Sequence, residues 1–254
     1  MLMQKYIKFL KYWWLQPIIW TKNCSFALSH ELGVGKTPDN ILLFACLFVP
    51  LHHMKNDFDI KKEWSENVII ADADYVDRVA FNLTVNFERM LGRRIPAADM
   101  ARWTECIALD GGVRQSEQQQ ETSVILVHNP DKEHMQNFVP ASFSSELNGK
   151  AFMGALGEFV INAIAVDKLT TKTDLLVDLS QLVLSQKDVR RVMIIPNTED
   201  GDAYGRLCVA LRQADDEKRI TMFAMQPMPG GNFRQEILGY SLMSALGIRG
   251  DELK

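Results

Sequence analysis

Five short apolar runs, set between stretches of helical period, constrain this chain more than any other feature of it. They are NVIIADAD from Asn67, VILVH from Val124 to His128, FVINAIAV from Phe159 to Val166, VMIIP from Val192, and Ile220 to Met225. A continuous apolar run of about four to eight residues between turn signals is how a strand buried on both faces reads. The third run also admits a helix. Between the runs, Val76, Ala80, Leu83, Phe87 and Leu91 recur at intervals of three and four, so Tyr75 to Leu91 is an amphipathic helix stopped by Gly92. Pro96 suits a first helical turn. Met100, Trp103 and Ile107, followed by Gly111 and Gly112, mark a second helix.

Thr171 and Asp174 resemble a capping box opening a helix through Leu175, Leu179, Leu182 and Val183, and Tyr204 to Gln213 reads as another. Residues 131–157 are ambiguous by pattern. The order of elements predicts an α/β fold of three layers, a mostly parallel sheet of about five strands covered by helices on both faces, over residues 54–226. After the fifth run, QPMPGG from Gln226 to Gly231 reads as a linker. It leads over residues 227–254 to a tethered C-terminal helix with a stripe of Leu238, Leu242, Ala245 and Leu246. That stripe must be covered by the chain's own sheet, by a second copy, or by a partner protein.

Residues 1–53 differ in kind. They hold three of the five tryptophans, five lysines, no arginine and two acids, with no sustained period of 3.6 or 2.0. Their apolar runs are interrupted by Lys11, Gln16, Pro17 and Pro50, short of the roughly 20 residues a spanning helix needs. The expectation is a non-native or disordered extension, with Met54 as the true start; a membrane-associated arm is the competing reading, and no membrane is expected of the rest. Gly33 to Thr37 (GVGKT) resembles a phosphate-binding loop, but His30 stands where the pattern needs glycine and Pro38 follows at once.

The whole chain carries 28 basic and 32 acidic residues; with five lysines and two acids in the first 53, the remainder has a net charge of -7. Such a body argues against extensive phosphate-backbone binding, which comes from Lys and Arg displacing counterions. Cys24, Cys46, Cys106 and Cys208 form no CxxC pair, so reduced thiols and a cytoplasmic location are the simplest expectation.

In open α/β sheets ligands bind beyond the carboxyl ends of the strands, at the switch in strand order. Three acidic groups fall there or nearby: Asp72 with Asp74 after the first strand, Asp174 with Asp178 four residues apart on a helix, and Asp200 with Asp202 after the fourth strand, beside Glu199. Carboxylates gathered in one cleft raise each other's pKa unless a cation compensates, and a hard ion such as Mg2+ or Mn2+ would do so. Each pair has a local alternative. Asp72 and Asp74 can cap a helix, Asp174 suits a first turn, and Asp200-Gly201-Asp202 has turn chemistry.

IIADADYV resembles the first-strand signature of NYN and PIN-like nucleases, in which an apolar strand ends in aspartate with a second polar residue two positions later. KTDLLVDL, Lys172 to Leu179, and IIPNTEDGDAY are similar to two further acidic stretches of those families. The resemblance implies metal binding by Asp72, Asp174, Asp200 and Asp202, with Asp72, Asp174 and Asp202 in the catalytic positions and RNA as substrate; Asp74, which takes the place usually held by asparagine, and Asp178, four residues from Asp174, complete the candidate metal set. The Ser-Gly before the paired acids is absent here, and the acid spacing around Asp174 differs. The chain is also similar to a bacterial family that brings no known activity. The first expectation for function is therefore a degenerate PIN/NYN-like domain acting as an interaction module through its C-terminal helix, by self-association or with a partner protein. The alternative is a divalent-metal-dependent ribonuclease.

Overall fold

The computed structural model describes residues 64–253, apart from 117, 118, 200, 201, 213 and 216. The expectations for residues 1–53, and the placement of Asp200, lie outside the described residues. In chain order the elements are β1 (Asn67–Asp72), α1 (Ala73–Leu91), β2 (Ala98–Asp99), α2 (Met100–Asp110), β3 (Glu121–His128), β4 (Phe138–Val139) and a π-helical turn (Phe143–Leu147). There follow β5 (Lys150–Gly154), β6 (Gly157–Ala165), α3 (Lys172–Leu184), β7 (Arg191–Ile195), α4 (Ala203–Leu211), β8 (Arg219–Ala224), β9 (Arg234–Ile237), α5 (Leu238–Ala245) and a 3-10 turn (Gly250–Leu253).

Seven strands form one sheet in the order β5-β6-β3-β1-β7-β8-β9. All neighbours are parallel except β5, which runs against β6. Strand β1 is central because both its faces are apolar: Val68, Ile69, Ile70 and Ala71 are all fully buried. Alternation along the strand divides them between two layers. Ile69 and Ala71 belong to a core with Tyr75, Val76, Trp103, Ile107, Leu238 and Leu242, contributed by α1, α2 and α5. On the opposite face α3 packs against β1, β3 and β7, and α4 packs on α3. The fold is thus a three-layer α/β arrangement, as the order of apolar runs predicts.

Two strands escape that pattern. Strands β5 and β9 are the sheet's edges, and their exposed or half-exposed residues carry Lys150, Arg234 and Glu236 rather than an apolar run. Charged, short edges are how sheets avoid pairing with other chains. Pro96 precedes the two-residue β2 instead of opening a helix, because Asp99 caps α2 by accepting from Arg102 N at 3.1 Å.

Strand β9 also corrects the expected boundary at residue 226. It pairs in parallel with β8, Thr221 opposite Arg234 through Ala224 opposite Ile237. Helix α5 follows with no free tether. Leu238, Leu242 and Leu246 are fully buried and Ala245 nearly so, all in the chain's own core. Of the three coverings open to the stripe, its own chain, a second copy or a partner, the structure shows the first. The described residues from 64 to 253 belong to one compact unit. No helix among the described residues is long and apolar enough to cross a membrane.

Candidate functional site

After β1 the chain adds β3 and then β6 on one side, then crosses through α3 to place β7 on the other side. The carboxyl end of β1 is therefore the topological switch point, where open α/β sheets bind ligands. Asp72 is its last residue, paired in register with Val127 of β3. His128 ends β3, and the segment from Asn197 to Glu199 follows β7.

Asp72 is the N-cap of α1: its Oδ1 accepts from Tyr75 N at 3.0 Å. Asp74, in the first turn, accepts from Asn129 N at 2.9 Å through Oδ2. Both carboxylates also meet one cation. The Lys172 ammonium donates to Asp72 Oδ1 at 3.0 Å and to Asp74 Oδ2 in a still closer contact. The three side chains are 5%, 13% and 18% exposed, so the cluster lies largely out of water. Burial holds the Asp72 carboxyl above its ordinary value, although Lys172 and the Tyr75 amide oppose that shift.

Lys172 reaches this point because it is the first residue of α3. The helix begins with a capping box, in which Asp174 N donates to Thr171 Oγ1 at 3.1 Å and Thr171 N donates back to Asp174 Oδ2 at 3.3 Å. Thr171 Oγ1 also donates to Asp174 Oδ2 at 2.7 Å. The remaining oxygen of Asp174 accepts from Arg206 of α4. These contacts, the Thr171 hydroxyl first and Arg206 second, hold the Asp174 carboxyl down at about 2. Arg206 also faces Asp202 at 3.7 Å, and the Asp202 side chain is 75% exposed. Glu199 pairs with Arg78 of α1 at 3.1 Å.

The acids thus fall into separate groups, each answered by a basic side chain: Asp72 and Asp74 by Lys172, Asp174 and Asp202 by Arg206, and Glu199 by Arg78. Asp178 is exposed on α3. Among the described residues, no three His, Cys, Asp or Glu side chains are placed to share a metal ion. A hard divalent ion needs oxygens at about 2.1 Å and near-octahedral placing. The donor set as arranged does not fit one, because an ammonium occupies the point that Asp72 and Asp74 share and Asp174 is turned to Arg206.

Two residues bearing on the site gave little signal in the sequence. His128 is buried and stacked on Phe143, with ring centroids 3.9 Å apart and an interplanar angle of 6°. Its Nδ1 donates to the Asn129 carbonyl at 2.9 Å, and burial pushes its pKa below the ordinary value. Asp77, buried on α1, accepts from Gln136 N at 3.1 Å and Asn137 N at 2.8 Å, fastening the segment between β3 and β4 over the same end of the sheet. Lys172 stood in the quoted KTDLLVDL stretch, but a lysine at a helix start ordinarily reads as a solvated charge.

The model of a family of unknown function, DUF6621, matches residues 61–253. The chain belongs to that family. The match spans every strand and helix described above and begins six residues before β1. No curated protein and no solved structure matches the chain.

Proposed function

We propose that this chain is a non-catalytic PIN/NYN-like domain that acts by binding a partner protein or a second copy of itself. The observation that carries this reading is the commitment of Asp174. Both of its oxygens are engaged, by Thr171 and by Arg206, and among the described residues no three His, Cys, Asp or Glu side chains are grouped to hold a metal. The net charge of -7 after residue 53 further disfavours a phosphate backbone as ligand. With the α5 stripe buried, binding falls to another surface; Phe81, Val85 and Met90 of α1 remain exposed.

The ribonuclease reading keeps one observation in its favour, the position of Asp72 beside Asp74 at the switch point. The test is incubation of the purified chain with labelled single-stranded RNA and Mn2+ or Mg2+. The expected result is no cleavage above that of D72N. Metal-dependent cleavage lost in both D72N and D174N would overturn the proposal and establish the nuclease.

A further inference from the structure

The crevice at the end of β1 contains two carboxylates that the backbone aims at one point. Asp72 is oriented by the Tyr75 amide and Asp74 by the Asn129 amide, and each presents an oxygen to Lys172 Nζ. Two buried like charges at such a point require a compensating cation. We infer that the Lys172 ammonium is the resident cation of this crevice, standing where a PIN-like site would hold a divalent ion, so that the site takes no metal. The inference deepens the non-catalytic reading and rests on it for the comparison with a metal site.

Three observations carry it. The ammonium touches both carboxylates at once, which is the geometry of a shared counter-ion and not of a single surface pair. Lys172 is fixed at the first turn of α3, whose start is closed by the Thr171–Asp174 capping box and whose body packs on β1, β3 and β7. The cation is thus delivered by a rigid element. Finally, Arg206 takes up the acid that would have completed a third ligand, so the substitution of fixed cations for a metal extends beyond one residue.

The experiment follows thermal unfolding of the full chain at neutral pH and constant ionic strength, for wild type, K172M and K172M/D74N, with and without millimolar Mn2+. Wild type should show no response to Mn2+. K172M should melt lower by roughly 6–20 °C, the scale for removing one partner of a buried ion pair in a chain of this size. K172M/D74N should regain part of that loss, since it removes one of the two charges left in conflict. Should K172M fail to fold, K172R, which keeps the charge, should fold, and K172M/D74N should recover structure.

A saturable rise in wild-type melting temperature with Mn2+, lost in D72N, would overturn the inference. So would a double variant no more stable than K172M, or, where K172M does not fold, the failure of both K172R and the double variant. Metal-independent RNA cleavage would overturn the non-catalytic reading and leave this inference standing, whereas metal-dependent cleavage lost in D72N would overturn both. A metal response in wild type would overturn the present inference without implying cleavage.

Discussion

At the scale of single residues, burial shifts the ionisation of Asp72 and His128, and His128 gives the clearest consequence. Burial lowers its pKa, while the nearby Asp74 acts in the opposite direction. A histidine with a depressed folded pKa contributes stability that is fully present above its unfolded value, near 6.5, and is lost as pH falls toward the folded value. Wild type should therefore lose stability relative to H128F as pH falls below about 6.5, because phenylalanine keeps the stack on Phe143 and has no proton to bind. Urea midpoints for the two proteins between pH 8 and pH 5 check this. A difference independent of pH would contradict it. Asp72 works the other way: its raised pKa favours the protonated carboxyl in the fold, so its contribution is greatest in acid and declines as pH rises through the folded value.

At the scale of elements, the C-terminal β9 and α5 are structural. Leu242 is fully buried in the same core as Ile69 and Trp103. Leu242→Ala should cost about 2–5 kcal/mol, the range for truncating a fully buried leucine, read as a fall in the urea midpoint without a change in oligomeric size. A change in size with stability retained would restore the stripe as an interface. Removing residues 227–254 should leave a protein unable to complete its sheet and core.

The same elements explain how much of the fold was legible in the sequence. The five inner strands were legible because burial on both faces demands apolar runs. β9 reads RQEI and β5 reads KAFMG, and an edge strand open to water has no such demand. Of the site, Asp72, Asp74 and the Thr171–Asp174 capping box were legible because local chemistry marks strand ends and helix starts. Lys172 was not: it meets Asp72 and Asp74 across 100 and 98 residues of sequence, and nothing local distinguishes a lysine aimed inward from one in solvent.

At the scale of the whole molecule, the acidic body and the three basic side chains placed among the strand-end acids point the same way. The body of the chain is net acidic, while Asp72 and Asp74 at the switch point share Lys172, and the neighbouring acidic groups are paired with Arg206 and Arg78. A sheet of this topology places its switch point at β1 whatever the residues there. The chemistry comes from the side chains delivered to it, and here they form ion pairs with one another. The most direct test of that account is calorimetric titration of Mn2+ into the wild-type chain at neutral pH. The account predicts a heat no different from dilution; a saturable isotherm with one site per chain, abolished by D72N, would contradict it.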